Sequence, residues 1–198
     1  MDLAIVPFLT YVLVTTYTPG PNNISSASMG VLYGYRRSLP YLAGIATGFF
    51  ILLLLCAAVS GTLRQLIPGF ETALRIVGAL YILWLAYETL RATYAFETGD
   101  RHRAGFLKGA VLQMVNPKGV IYGLTLYATF LLGVTGKPVP ILLSALFLAA
   151  VCFSAVSIWA LFGTAIRQFL RRQRVRQAVN VVLALLLVYT AVELSGLL

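Results

Sequence analysis

The distribution of charge constrains this chain more than any other feature of its sequence. Four long stretches carry no charged residue, and they cover residues 3–35, 38–63, 138–166 and 177–192. Only 11% of the 198 residues are charged and 60% are apolar, whereas a soluble domain has about 25% charged residues. Because a transmembrane helix needs roughly 20 mostly apolar residues, the pattern excludes a soluble globular protein and predicts an all-α membrane protein.

Six transmembrane helices fit into the chain. The four uncharged stretches frame the first, second, fifth and sixth spans. The third span is predicted at about residues 70–93, and the fourth lies between Lys108 and Lys137. Six spans leave no room for a separate soluble domain. We therefore predict that residues 1–198 form a single transmembrane domain whose function resides in the helix bundle.

The basic residues predict which side of the membrane each loop faces. Alternate loops carry eleven of the fifteen lysines and arginines, the opposite side carries three, and Lys118 lies within a span. The eleven are Arg36, Arg37, Arg91, Arg101, Arg103, Lys108, Arg167, Arg171, Arg172, Arg174 and Arg176. Because such residues accumulate in cytoplasmic loops, these loops, including residues 96–104, are predicted to be cytoplasmic and both termini periplasmic. The protein is then a multi-pass protein of the plasma (bacterial inner) membrane, and its net charge of +9 needs no nucleic-acid partner.

The first span contains a motif that cannot continue an α-helix. Residues 18–23 read TPGPNN, and proline, glycine and asparagine are poor helix formers. A continuous helix from Asp2 to Arg36 would be about 50 Å long, which is far more than the ~30 Å hydrocarbon core. Pro19 lies at the middle of that stretch. The sequence therefore predicts that the first helix is broken midway across the membrane.

The fourth span contains a second motif of the same kind. Residues 116–119 read NPKG within an apolar stretch. If this motif were a loop outside the membrane, the segment before it, which begins no earlier than Gly105, would be too short to cross a bilayer. The fourth helix is therefore also predicted to be broken midway across the membrane.

Two broken helices in matching positions indicate an inverted repeat. Pro21 and Pro117 are 96 residues apart, and so are Cys56 and Cys152. Because each half contains three spans, the second half enters the membrane from the opposite side. We therefore predict two inverted three-helix repeats, at about residues 1–95 and 105–198. In secondary transporters that are built from inverted repeats, irregular backbone at membrane depth lines a cavity, and the substrate binds near the membrane centre.

The predicted substrate-binding site consists of residues at both breaks. These residues are Pro19, Gly20, Pro21, Asn22, Asn23, Asn116, Pro117 and Lys118. The helix that restarts at Pro21 has a positive end, which suits a carboxylate. The carbonyl groups freed near Thr18 suit an ammonium group, and the asparagine side chains add donors and acceptors. Together these groups fit an amino-acid zwitterion.

Lys118 is the only formal charge predicted near the centre of a span. A charge within the membrane indicates a functional residue, so this lysine is predicted to bind the substrate carboxylate or to titrate during transport. The alternative is a structural lysine that reaches the headgroups or donates to the carbonyls freed by Pro117.

The remaining motifs indicate packing. Four pairs of glycines are spaced four residues apart, which lets helices approach closely. They are Gly30/Gly34, Gly44/Gly48, Gly105/Gly109 and Gly119/Gly123. We interpret them as contacts within the bundle, with a homodimer as the alternative. The chain has one histidine and no Cys-x-x-Cys motif, so neither a metal site nor a cofactor is predicted.

The motifs at residues 18–23 and 116–118 and the six-span size resemble the LysE/RhtB family of amino-acid exporters. The hallmarks of that family are a Pro-Gly-Pro turn and a later Asn-Pro-Lys, and the resemblance covers the whole chain. It implies a secondary transporter, not an enzyme, that exports a small neutral amino acid or derivative of the cysteine, O-acetylserine and homoserine class. Because the chain has no phosphate-binding loop, we expect an ion gradient to drive export.

A membrane thiol–disulfide electron carrier is the alternative function. Such carriers have a distantly similar architecture of two three-helix repeats, and Cys56 and Cys152 lie in matching spans of this chain. Their chemistry needs an accessible thiolate. In those carriers the cysteines lie at the proline breaks, where this chain has asparagine and lysine. The sequence therefore favours the exporter and predicts two buried structural thiols.

Overall fold

The computed structural model describes most of the chain. The described residues are 5–66, 105–134, 136–166 and 173–195, together with single helical positions between 76 and 90. The predicted cytoplasmic loop 96–104 and most of the predicted third span, 70–93, lie outside the described residues, as do the two ends of the chain.

Every regular element in the described ranges is helical, as predicted for an all-α protein. The α-helices are α1 (Ile5–Tyr17), α2 (Pro21–Tyr33), α3 (Tyr35–Leu66), α4 (Phe106–Met114), α5 (Pro117–Thr125), α6 (Pro138–Ile166) and α7 (Gln173–Ser195). A π-helical turn (Leu126–Phe130) continues α5, and a 3-10 turn (Leu132–Val134) precedes α6.

Helical structure stops at both motifs that the sequence singles out. It ends at Tyr17 and restarts at Pro21, and it ends again at Met114 and restarts at Pro117. Each proline occupies the first turn of its helix. A proline is tolerated there because its missing N–H would have had no acceptor, whereas in a helix interior it removes a hydrogen bond and clashes with the preceding turn.

Two of the helices are long and apolar enough to cross a membrane. By length and composition these are Tyr35–Ser60 within α3 and Pro138–Ile166, the whole of α6. The surface of α6 also exposes large apolar side chains, with Leu143 61% and Phe147 51% exposed. Such a surface is unfavourable in water and is typical of contact with another apolar phase. The helices therefore have the surface chemistry of an α-helical membrane protein.

Glycines hold the broken helices tightly against their unbroken neighbours. A Cβ atom at Gly44 of α3 would collide with the carbonyl group of Phe106, and one at Gly109 would collide with the backbone of α3. The same holds at the α2–α6 interface for Gly30 and Gly163. These are backbone-to-backbone contacts that no side chain permits. The interpretation of the glycine spacing as packing within the bundle is confirmed at Gly30, Gly44 and Gly109. It was wrong at Gly34, which ends α2 with a positive φ of 76° and has no neighbour within 4 Å of a Cβ position.

Two main clusters of buried apolar side chains, and a small one around Val31, complete the packing of the described helices. The larger cluster joins α3, the π-helical turn and α6 through Leu42, Leu53, Tyr127 and Leu148, each at most 1% exposed. The second cluster joins Ile24 of α2 to Ala79, Ile82 and Ala86 and to α7. The unbroken helices α3 and α6 thus form a fixed frame around the two interruptions.

Candidate functional site

A cavity lies between the two interruptions and is bordered by the frame helices. About 50 Å³ of it is open to the centres of water molecules, which is room for about four waters. The lining residues are Thr15, Thr16, Thr18, Gly20, Pro21, Asn22, Asn23, Phe49, Gln113, Asn116, Lys118, Gly119, Tyr122, Cys152 and Val156. The structure thus brings six of the eight predicted site residues to one cavity, while Pro19 and Pro117 lie outside its lining. That these residues bind a substrate stays a prediction.

The first turn of α2 faces this cavity without a cap. Gly20 is the N-cap residue, has extended backbone angles and provides no side-chain hydrogen bond. Helical bonding of α2 starts with the N–H of Ile24, which donates to the carbonyl of Gly20 over 3.0 Å. The N–H groups before it have no acceptor within the helix. They carry the positive end of the helix dipole, so this turn suits an anion.

An amide pair extends the polar wall beside that turn. Asn22 Nδ2 donates to Gln113 Oε1, which joins α2 to α4. This bond leaves Asn22 Oδ1 and Gln113 Nε2 buried with no hydrogen-bond partner, although Gln113 is only 1% exposed. If both amides are flipped, the bond reverses and again leaves one donor and one acceptor. In either orientation the pair offers a donor and an acceptor to a molecule in the cavity.

The first turn of α5, at the second interruption, is capped by the protein itself. Asn116 is the N-cap residue, and its Oδ1 accepts a hydrogen bond of 3.1 Å from the N–H of Lys118. Asn116 is 4% exposed. A buried N-cap asparagine satisfies a donor that would otherwise need a ligand. The two interruptions therefore differ in what they leave free.

Lys118 reaches across the cavity and binds the end of α1. Its Nζ donates to Thr18 Oγ1 at 2.9 Å, to the Pro19 carbonyl at 3.0 Å and to the Thr18 carbonyl at 3.4 Å. A helix C-terminus carries the negative end of the dipole, which attracts a cation. In this structure, then, the lysine ammonium contacts the helix end.

The other carbonyl groups at the end of α1 also accept hydrogen bonds. Asn23 Nδ2 donates to the carbonyls of Thr16 at 2.9 Å and Thr18 at 2.8 Å. Trp159 Nε1 donates to the carbonyl of Tyr17 at 3.1 Å. The expectation that these carbonyls are free for a substrate ammonium was wrong for this structure, because Lys118, Asn23 and Trp159 already donate to them.

Sequence reasoning missed four polar residues of the cavity, which are Thr15, Thr16, Gln113 and Tyr122. Gln113 is the amide that pairs with Asn22. The sequence did indicate it, because Gln113 is a second amide residue in the same apolar stretch, three residues before Asn116. Tyr122 lies one turn after Lys118, accepts a bond from Thr16 Oγ1 at 3.4 Å and stacks on Tyr11 with ring centroids 5.6 Å apart. Because the chain has eleven tyrosines, the sequence alone did not indicate that Tyr122 is the one that faces the cavity.

The two cysteines occupy different surroundings. Both are buried and free. Cys152 lines the cavity, whereas the Cys56 side chain lies beside Gly123 and 3.9 Å from the carbonyl of Val120. Among the described residues, no group of three histidine, cysteine or acidic side chains is arranged to hold a metal ion.

Comparison with known proteins assigns the chain to a family. The model of the LysE type translocator family matches residues 13–196. The chain belongs to the LysE-type translocator family. The family model describes a translocator, and the described helices have the apolar surface of a membrane protein.

Curated relatives cover nearly the whole chain. A cysteine/O-acetylserine efflux protein of Klebsiella pneumoniae is 43% identical over 188 residues, which are 94% of each chain. Proteins of the same name from Escherichia coli K12 and Salmonella typhimurium are 39% and 37% identical over 187 residues, which are 94% of this chain and 95% of theirs. No solved structure shows significant similarity to the chain.

Proposed function

We propose that this protein exports a small neutral amino acid or derivative, of the cysteine, O-acetylserine and homoserine class, and binds it in the cavity between the two interruptions. The family and the names of the relatives support export. The observation that carries the binding site is the uncapped first turn of α2 beside a buried amide pair with one unused donor and one unused acceptor.

The substrate carboxylate binds the N–H groups in the first turn of α2. These groups lie at the positive end of the helix dipole, and the amide pair, which is joined to α2 through Asn22, adds its unused donor. The substrate ammonium donates to the unused acceptor of the pair and to the hydroxyl groups of Thr15 and Thr16 on the neighbouring wall. A zwitterion of this kind satisfies the groups that the protein leaves unpaired.

The predicted site residues divide into two groups. Gly20, Pro21 and Asn22 contact the substrate, together with Gln113. The other residues position these groups: Pro19, Asn23, Asn116, Pro117 and Lys118. Lys118 and Asn23 hold the end of α1 against α5 and α2, so the lysine acts on the shape of the cavity instead of binding the carboxylate directly.

The membrane arrangement follows from the interruptions and the basic loops. We propose six spans in two inverted repeats, with both interruptions at mid-depth, basic loops in the cytoplasm and the termini outside. Helix α3 has 32 residues and helix α6 has 29, so they are about 48 and 44 Å long. Both lengths exceed the ~30 Å hydrocarbon core that a spanning helix must cross. A homodimer stays a prediction, to be tested by the mass of the purified protein.

Efflux from proteoliposomes tests the function. Vesicles loaded with labelled cysteine, O-acetylserine or homoserine are diluted into buffer, with the pH gradient and the sodium gradient varied separately. We expect efflux of at least one of the three compounds, accelerated by one of the two gradients. No efflux of any of them from vesicles that contain correctly folded protein would contradict the proposal.

Two glutamine variants test the site. Gln113→Leu removes the buried amide that faces the cavity, and Gln177→Leu makes the same change on the exposed surface of α7. Because a hydrogen bond to a charged group contributes about 1.5–3 kcal/mol, we expect efflux to fall at least ~10-fold in the first variant and to stay unchanged in the second. Equal efflux from both would show that the amide pair does not bind substrate.

A further inference from the structure

The wall of the cavity formed by the frame helices differs from the wall formed by the broken helices. Leaving aside glycine and proline, the residues from the broken helices have hydroxyl, amide or ammonium groups. The three residues from the frame helices are Phe49 of α3 and Cys152 and Val156 of α6. The cavity thus has a polar side and an apolar side, contributed by different parts of the fold.

The apolar side is packed into the larger core cluster. Cys152 and Val156 are four residues apart on α6 and therefore share one face of that helix. They are 6% and 1% exposed, and Phe49 is 5% exposed. The ring of Phe49 packs on the ring of Tyr122 with centroids 5.4 Å apart. This side has little freedom to move, since each member is fixed by neighbours on more than one helix.

A bound amino acid must place its side chain against one of these two sides. Its carboxylate and ammonium are attached to the same carbon as the side chain, and the proposed site directs both of them to the polar side. The side chain therefore extends toward the frame helices. None of the three residues there offers a charged group, so a charged substrate side chain would be desolvated without a partner.

We infer that Phe49, Cys152 and Val156 form the subsite for the substrate side chain and limit it to small uncharged groups. This inference rests on the proposed function. The three residues set the size of the accepted side chain, while the polar side binds the part common to all amino acids. Lysine and glutamate are excluded at this wall by charge, and leucine is excluded by size.

Enlarging the subsite tests the inference. Val156→Ala and Cys152→Ala each remove side-chain volume from the wall, so each is expected to raise the leucine-to-homoserine efflux ratio roughly tenfold, the range of discrimination that one or two methylene groups provide. The matched controls are Val59→Ala and Cys56→Ala. Val59 is exposed on α3 and Cys56 lies outside the cavity lining, so both controls keep the ratio of the unchanged protein.

A binding measurement covers variants that fold but do not transport. Competition of homoserine and leucine against labelled homoserine on the purified protein gives the same ratio without turnover. An unchanged ratio in both cavity variants, or the same change in the controls, would overturn the subsite. If the unchanged protein exports no uncharged amino acid at all, the proposed function fails; if it exports homoserine while the cavity variants keep its preference, only the subsite fails.

Reaction of the native thiols gives an independent test. Cys56→Ser leaves Cys152 as the only thiol, and Cys152→Ser leaves Cys56. In proteoliposomes that export homoserine, we expect saturating homoserine to slow the reaction of Cys152 with methyl methanethiosulfonate at least threefold and to leave the reaction of Cys56 unaffected. Equal rates for Cys152 with and without homoserine, or no reaction of Cys152, would place the side chain elsewhere.

Discussion

The two interruptions look alike in sequence and differ in what they offer to a ligand. Both place a proline in the first turn of the following helix. The residue before that proline decides the difference, because Gly20 has no side chain with which to cap α2, whereas Asn116 caps α5. The first interruption therefore leaves the N–H groups of Asn22 and Asn23 without a cap, whereas the cap at the second accepts from the N–H of Lys118. A proline shows where a helix restarts, but the preceding residue decides whether its end is available.

The second interruption instead stabilises the first. Its lysine, Lys118, donates to Thr18 and Pro19 at the end of α1. Together with Asn23 it satisfies carbonyl groups that would otherwise be unpaired in an apolar surrounding. We therefore propose that the two interruptions form one site with a division of roles, in which the first binds the substrate and the second stabilises the first.

The largest effect is expected when the first interruption is made like the second. In Gly20→Asp the new carboxylate caps α2 and occupies the proposed carboxylate site, next to the Lys118 ammonium. Two charge-assisted hydrogen bonds are then lost to the substrate, so efflux of homoserine should fall ~100-fold or more, with thermal stability unchanged or higher.

Gly20→Ala is the control for this change. Its Cβ atom would lie 3.0 Å from Lys118 Cδ, which a small shift of the flexible lysine side chain relieves. The alanine cannot cap the helix, so we expect efflux well above that of the aspartate variant. Equal loss in both variants would show that crowding, and not the cap, causes the effect.

Removal of the lysine is expected to lower efflux at least ~10-fold, because buried carbonyl acceptors left unpaired cost about 1–3 kcal/mol each. Lys118→Ala leaves space near the end of α1 that a small cation fits. Ethylamine in the buffer should therefore restore part of the efflux of Lys118→Ala and none of the efflux of Asn22→Ala. If ethylamine has no effect on the lysine variant, its ammonium does not act at the helix end.

The amide pair should behave as one unit. Asn22→Ala alone is expected to lower efflux at least ~10-fold, with membrane insertion intact. Because Asn22 and Gln113 act through a shared bond, the double variant Asn22→Ala/Gln113→Ala should lie within about threefold of the single variants. Losses that multiply in the double variant would mean that the two amides act independently.

The smallest effect on transport is expected at the second cap. Asn116→Ala removes the cap of α5 and should lower the free energy of unfolding by about 1 kcal/mol. Its effect on efflux should be only a few-fold, since this helix end does not bind the carboxylate. Thermal unfolding in detergent and efflux are measured on the same preparation. A loss of efflux as large as that of Asn22→Ala would remove the distinction between the two interruptions.

Sequence reasoning located the interruptions because their cause is local. Proline and glycine at residues 19–21 and 117–119 disfavour a continuous helix wherever they occur. The tight contacts of Gly44 and Gly109 were predictable for a similar reason, since their spacing marks a helix face without side chains.

The partners of the site residues were not predictable from the same motifs. Asn22 and Gln113 are far apart in the chain and meet only because α2 and α4 pack in the same bundle. The partner of Lys118 likewise depends on which helix end lies opposite to it. The cap at Asn116 is local and follows the usual rule for the residue before a helix. This cap could therefore be predicted from the sequence, whereas a contact of Asn116 with substrate stays a prediction.

The proposed site depends on a substrate carboxylate bound at the first turn of α2, and competition binding tests this contact most directly. Labelled O-acetylserine bound to the purified protein is displaced with homoserine and, separately, with homoserine amide, which keeps the ammonium and the side chain but has no carboxylate. We expect the amide to require at least ~10-fold higher concentration, because it loses the charge-assisted bonds to the helix end. Displacement by the amide at the same concentration as by homoserine would contradict the account.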